Sequence, residues 1–266
     1  MTYQTIKLEY FDEVVLLKFT RISVMNSLSI EMVKEVLDAF TAIRENSAIG
    51  ALLISGEGKA FCTGAELNPE FFMGIDGKSP AESLDYHMQY YFNQWIEQLE
   101  NFPIPVIIAM NGVAAGAGVG IALAGDITLA VEEAYFILTF APKLGLIPDM
   151  GTSWFLPRLI GTARTKAITL LGEKVSATQA EQWGLIWKTV PKNELLDEAL
   201  KIAKKLASLP PHIAQHIRNT YSSANENTLT QQLNYEKDLQ CQLIQTPAFM
   251  EGIMAFTERR EPVFKR

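Results

Sequence analysis

Apolar and polar positions change rhythm several times along this chain, and the changes mark its elements. Residues 4–10 and 13–20 alternate or run apolar around Phe11-Asp12, which predicts a β-hairpin. Residues 21–27 read as a loop. Ser29 stands ahead of Ile30, Val33, Val36, Leu37, Phe40 and Ile43, which recur three and four apart, so a capped helix with one core-facing side is expected. Residues 50–55 form a short apolar run, a buried strand, and 56–67 a glycine-rich bend. A helix is expected over 82–100, with Leu84, Met88, Tyr91, Trp95 and Leu99 on one face. Further on, 126–130, 135–139 and 186–190 read as strands. Helices are expected over 151–161 and 162–172, with a short one from Ser176 to near Gly184. From Asn193 onward only the helical period remains, over 193–208, 211–224, 228–243 and 247–260. Strand-rich units first and helices last predict an α/β core over 1–195 and a C-terminal helical region over 196–266.

The stretch from Pro105 to Asp149 is the most informative. An apolar run through Met110 leads into Asn111-Gly112, a pair that favours a tight turn, and then into a helix of very small residues. Gly116, Gly118 and Gly120 sit at alternate positions near its start. Each costs about 0.5–1 kcal/mol relative to alanine, so close approach of some other group to this backbone is expected in return. The N–H groups there lack helical partners and carry partial positive charge. The stretch closes on Asp149, a lone carboxylate among Phe140, Ile147, Pro148, Met150 and Trp154.

Composition narrows the class. A chain of 266 residues holds one large domain, or one with an appendage. The net charge of −7 argues against a nucleic-acid surface. Cys62 and Cys241 have no C-x-x-C spacing, which suits a reducing compartment. The first residues show neither a basic segment nor an apolar one of signal type, so a cytoplasmic location is expected. Residues 102–125 carry no charge and repeat glycine at 112, 116 and 120, as a membrane helix can. Pro103, Pro105 and Asn111-Gly112 break that run, and Glu97, Glu100 and Asp126 flank it instead of cations, so a buried strand and helix are expected and no membrane span.

Neither glycine cluster matches a phosphate loop or a dinucleotide fingerprint. Each follows a short apolar strand and aims backbone N–H groups out of a bend, Ala65 in one and Ala117 in the other. Two such donors converging on one oxygen make an oxyanion hole, worth about 3–4 kcal/mol per donor to a transition state. Plain tight turns explain the same residues equally well. Asp149 likewise has two readings: a base whose pKa is raised by apolar neighbours, or a cap on the helix beginning near Gly151. His212 and His216 stand four apart, but no H-E-x-x-H pattern or third ligand accompanies them, and they read as surface residues. His87 has no cysteine or serine partner in view. Cys62 has only Lys59 as a basic neighbour and reads as a small core residue. Phe71, Phe72 and Met73, adjacent in a loop, are expected to line something; with Tyr86 and Trp95 they would suit an aromatic ring, unless they are core. No metal or redox cofactor is called for.

Taken together, Asn26-Ser27-Leu28, the run Gly58 to Leu67, Asn111 to Gly118, Asp126-Ile127 and Gly145-Leu146-Ile147-Pro148-Asp149 resemble the crotonase, or enoyl-CoA hydratase/isomerase, family over nearly the whole chain. The resemblance implies a crotonase-type spiral of strand–strand–helix units, closed by C-terminal helices that build trimers or dimers of trimers. It implies an acyl-CoA thioester as substrate, its carbonyl held by the N–H groups of Ala65 and Ala117. It places Met25, Leu28, Ala60, Gly64, Leu67, Gly116 and Phe140 along the acyl-CoA path, with Arg21, Lys59, Lys265 and Arg266 as candidates for the CoA phosphates. Two departures matter. The positions matching the paired glutamates of the family's hydratases are Gly120 and Ala141, which carry no proton, whereas Asp149 falls where the isomerase branch has its single acid. Arg21-Ile22 replaces the family's usual Arg-Pro. An isomerase with Asp149 as shuttle base is therefore expected, with a hydratase using Glu66 or a non-catalytic acyl-CoA-binding protein as the alternatives.

Overall fold

The structure is a computed structural model that describes residues 3–67 and 77–265. The hairpin pairs β1 (Ile6–Phe11) antiparallel with β2 (Val14–Phe19), Ile6 opposite Phe19. Its turn is Asp12-Glu13, one residue later than the pattern suggested, because Asp12 takes φ 55°, a left-handed conformation aspartate tolerates. The loop after it contains one short turn, Ile22–Val24. Helix α1 (Ile30–Glu45) begins at Ser29, whose hydroxyl accepts the Met32 N–H at 3.2 Å.

The chain continues through β3 (Ala51–Gly56), β4 (Ala60–Cys62), α2 (Pro80–His87), a wide turn over Met88–Phe92, and α3 (Asn93–Glu100). The helix expected over 82–100 is thus three segments. At the join the Asn93 N–H reaches back five residues to the Met88 carbonyl, and this admits an extra residue without ending the helix. Then come β5 (Val106–Met110), β6 (Val113–Ala115), α4 (Ala117–Leu123), β7 (Ile127–Val131), β8 (Tyr135–Ile137), a second wide turn over Phe140–Leu144, and α5 (Thr152–Leu171). The two helices expected over 151–172 form one element broken at Gly161, whose φ of 76° and ψ of 158° are not helical. β9 (Val175–Ser176), α6 (Ala177–Gln182) and β10 (Lys188–Val190) complete the strands.

From β3 to β8 successive strands go to alternate sheets. The larger has the order β1-β2-β3-β5-β7-β10, parallel from β2 onward; the smaller has the order β4-β6-β8-β9. Each unit lays one strand in each sheet and returns through a helix. The near-continuous apolar character of β3 and β5 follows, because both faces of a parallel sheet are covered. The core is aromatic at its centre. Trp95, fully buried, meets Phe19 and Phe40 edge-on with ring centroids 5.8 and 6.3 Å apart. Trp95 is therefore core and not part of a ring-binding pocket; Phe71, Phe72 and Met73 lie outside the described residues.

Helix α7 (Leu195–Ala207) lays Ala199, Ala203 and Ala207 against β3 and β5. α8 (Ile213–Ala224) is pinned by Arg218, which meets both oxygens of Asp126 at 2.6 Å and donates to the Phe102 and Ile104 carbonyls. α9 (Leu229–Leu243) and α10 (Pro247–Glu258) follow, with Leu229, Leu233, Met250, Met254 and Phe256 exposed. The uncharged run 102–125 folds as β5, β6 and α4 inside the core, and no helix among the described residues is long and apolar enough to cross a membrane.

Candidate active site

Helix α4 is the hub of the site, and its glycines are what let other backbone reach it. Gly116, at φ 53°, turns the chain from β6 into the helix. A methyl group on Gly118 would collide with the Cys62 carbonyl at the end of β4, and one on Gly120 with the Met150 carbonyl beside Asp149. The close approach expected from the sequence is therefore made by the protein's own chain on two sides. The glycine-rich bend is seated on one side of α4 and the acidic turn on the other.

The bend is held in detail. Leu28 forms a single parallel bridge with Ala65: its N–H donates to the Gly64 carbonyl at 2.8 Å, and its carbonyl accepts the Glu66 N–H at 3.0 Å. In parallel pairing these bonds use the groups flanking Ala65, so the Ala65 N–H points away from Leu28. Gly64, at φ 86°, lies so near α4 that a methyl group on it would stand 3.1 Å from the Ala117 nitrogen. Among the described residues neither the Ala65 nor the Ala117 N–H donates to a backbone carbonyl. The two candidate donors thus come from adjoining segments, and both remain available.

Side chains fix the entrance. Buried Asn26 donates to the Glu57 and Ala60 carbonyls at 3.0 and 2.9 Å, and Asn111 accepts the Gly56 N–H at 3.0 Å while donating to the Ala60 carbonyl at 3.2 Å. Arg21 donates to the Ser27 carbonyl and pairs with Glu66 at 3.0 Å, so its guanidinium braces the loop that carries Ala65. Glu66, the alternative acid, is occupied by that pairing. Met25 and Leu67 are exposed apolar residues, Lys59 is an exposed cation next to Ala60 in sequence, and Ala60, Leu28 and Phe140 are buried. The Phe140 ring stands 3.9 Å from where a methyl group on Gly116 would be. Lys265 is placed elsewhere: it lines a separate cleft with Pro211, Gln215, Phe249 and Phe264.

Asp149 is half-buried on the turn leading to α5. Gly151, not Asp149, caps that helix, and no side chain accepts its first N–H groups. The capping reading therefore fails on geometry. Asp149 Oδ1 is buried without a hydrogen-bond partner among the described residues. Burial pushes its carboxyl up from 3.8 to about 6, while a bond from its own backbone N–H pulls weakly the other way. The surroundings differ in part from expectation. Ile147 is 82% exposed and contributes no shielding, whereas Phe155 and Ile96 pack against Gly151 in the same turn.

Thr152 escaped sequence reasoning. It is fully buried, its Oγ1 has no partner among the described residues, and it stands 2.9 Å from where a methyl group on Gly120 would be. A hydroxyl three residues after a lone acid is the only signal it gave. Cys62 is buried with its thiol pushed up to about 12, a core residue and no nucleophile. His212, at φ 63°, precedes α8, so it and His216 do not share a helical face. Among the described residues no cluster of His, Cys, Asp and Glu is arranged to hold a metal.

Two interleaved sheets, a pair of free main-chain amides and an acid seated across one glycine helix define a crotonase. The family model for enoyl-CoA hydratase/isomerase matches residues 9–266, and the chain belongs to that family. It is 39% identical over 240 residues to 1,2-epoxyphenylacetyl-CoA isomerase of Escherichia coli (strain K12), covering 90% of each chain. It is 34% identical over 264 residues to a probable enoyl-CoA hydratase of Rhodobacter capsulatus, covering 99% of each. The crystal structure of an enoyl-CoA hydratase from Bacillus anthracis superposes with a TM-score of 0.89 at 33% identity, over 98% of this chain and 99% of the other.

Proposed function

We propose that the protein is an acyl-CoA isomerase in which Asp149 is the single acid–base group and the N–H groups of Ala65 and Ala117 form the oxyanion hole. The observation that supports this most is the lone carboxylate with an unpartnered buried oxygen, raised to about 6, opposite a Gly120 that leaves no room for a second acid. Asp149 takes the proton alpha to the thioester, and the electron pair moves onto the carbonyl oxygen between the two amides. The enolate then returns its electrons, and Asp149 delivers the same proton to the gamma carbon, so a 3-enoyl-CoA becomes a 2-enoyl-CoA. Charge on oxygen grows only as the bond to hydrogen breaks, so the two donors act chiefly on the transition state.

The relative from Escherichia coli supports a ring epoxide, 1,2-epoxyphenylacetyl-CoA, as the other substrate, and phenylacetate degradation as the setting. In this reading Met25, Leu28, Ala60, Gly64, Leu67, Gly116 and Phe140 line the acyl-CoA path and Lys59 meets the CoA phosphates. Arg21 acts from behind, through Glu66. The exposed apolar residues on α9 and α10 support assembly into trimers or dimers of trimers by the region 196–266, although α7 also covers the core formed by 1–195. A cytoplasmic location belongs to the same proposal.

The hydratase-named relative supports a second reading, addition of water to an enoyl-CoA. A panel of 3-hexenoyl-CoA, 1,2-epoxyphenylacetyl-CoA and crotonyl-CoA, followed by ultraviolet absorbance and mass, separates the two. Turnover of either of the first two without a gain of water is expected. Hydration of crotonyl-CoA at a comparable rate would overturn the single-acid mechanism. Absence of alpha-deuterium exchange in heavy water would leave only a binding protein.

A further inference from the structure

A cleft of about 190 Å³ opens between α1 and α2, lined by Ile30, Lys34, Lys78, Ser83, Tyr86, His87 and Tyr91. It lies outside the residues assigned to the reaction, yet it begins two residues after Leu28, whose backbone pairs with Ala65. Its electrostatics are one-sided. The Lys34 ammonium stands over the Tyr91 ring at 5.1 Å and the Lys78 ammonium over the Tyr86 ring at 4.3 Å; the two ring centroids are 6.0 Å apart. Both cations therefore border the same small space.

Among the described residues no carboxylate lines this cleft, and neither lysine has one within ion-pairing distance. Three described acids of α1 and α2 have hydrogen-bond partners of their own, although the Lys78 charge still reaches Glu82. Glu35 accepts the backbone N–H groups of Gln4 and Thr5, Asp38 accepts the Tyr3 hydroxyl, and Glu82 caps α2 through Ser79. Buried His87 reports the resulting field: its imidazole is held below its ordinary range first by burial and then by Lys34 and Lys78. Among the described residues neither cation has an ion-paired carboxylate, and a ligand of opposite charge lowers the cost of holding both beside a buried imidazole.

We propose that this cleft is a binding site for a small oxyanion, a carboxylate or phosphate group, held by Lys34 and Lys78 with the Tyr86 and Tyr91 phenols as its walls. Two sources present that chemistry: a free anion, or a carboxylate at the far end of an acyl chain whose thioester lies at Ala65 and Ala117. The second source rests on the acyl-CoA reading; the first does not.

The test uses the full-length protein in two arms. Titration with inorganic phosphate and with glutarate, followed by calorimetry, is expected to give saturable binding, weakened about tenfold in Lys34→Gln and more in the Lys34→Gln/Lys78→Gln pair. In the kinetic arm, KM is compared for a 3-enoyl-CoA ending in a carboxylate and for its methyl-ended counterpart. A rise in KM for the carboxylate ester alone in the lysine variants assigns the site to the substrate. Loss of phosphate binding with both KM values unchanged assigns it to a free anion. A native protein that binds neither probe and shows no lysine-dependent difference between the esters overturns the proposal. Because the binding arm needs no turnover, failure of the isomerase reading leaves it intact.

Discussion

Gly120 lies so close to the Met150 carbonyl that no side chain fits between them. This contact sets the distance from the α4 backbone to the acidic turn, and it lies one residue from the carboxylate and three from the Ala117 amide. It also bears on which reaction is open to the protein. The resemblance implies that Gly120 stands where the family's hydratases have a glutamate; packing fills that position here, so an acid there would displace the turn that carries Asp149.

Replacing Gly120 is expected to show this directly. Gly120→Ala should destabilise the protein by about 1–3 kcal/mol through overpacking. It should also lower isomerase turnover by more than the loss of folded protein explains. Gly120→Glu should gain no crotonyl-CoA hydration. Thermal melts paired with both assays check these outcomes; a hydratase produced by Gly120→Glu would mean that the turn yields easily.

Asp149 carries two linked predictions. Asp149→Asn should reduce turnover about 10²–10⁴-fold, the usual share of a positioned base, and leave acyl-CoA affinity within a few-fold. In the parent, kcat/KM should fall about tenfold per pH unit below about 6, as the carboxyl gains its proton. Stability should run the other way. The folded protein holds this proton more tightly than the unfolded chain, so the contribution is full below about pH 4 and is lost as pH rises through about 6. Asp149→Asn should therefore be more stable than the parent at pH 7–8, by ~2 kcal/mol, with the gap closing in acid. Denaturant titrations at several pH values measure it.

The oxyanion pair is probed at Gly64. A methyl group there points at the Ala117 nitrogen and must also adopt φ 86°, so Gly64→Ala should both strain the bend and block the hole. Turnover should fall about 10²–10³-fold, the scale of one lost donor, with CoA itself still binding. Equal loss of CoA binding and turnover would mean that the bend as a whole had collapsed.

Arg21 gives a sharper division. Because it spans the Ser27 carbonyl and Glu66, Arg21→Gln should lower kcat about tenfold through the position of Ala65 while changing the KM for acyl-CoA little. A direct contact with the CoA phosphates would raise KM and leave kcat standing. Steady-state kinetics decide between them, and Glu66→Gln should reproduce the kcat effect.

Much of this was legible in the residues. The hairpin, the capped α1, the buried β5 and the helical tail follow from periodicity and end signals, which are local. The strand–turn–helix at 106–123 and the isolation of Asp149 were legible as well, because small residues and a lone charge among apolar ones are conspicuous. What could not be read is long-range. Nothing local tells that Gly118 meets Cys62 and Gly120 meets Met150, that Arg21 turns inward to Glu66, or that Trp95 is enclosed by Phe19 and Phe40. The choice between cap and base at Asp149 needed the actual start of α5, three residues on. The wide turn at 88–92 left the apolar face of its helix continuous, so the pattern did not reveal it.

The two thiols differ in a way that is useful at the bench. Cys62 is sealed beneath α4 and its high pKa keeps it from ionising at neutral pH, whereas Cys241 sits in the open on α9. A maleimide dye added to the native protein will therefore report from one known address in the tail, with no need to engineer the other cysteine away.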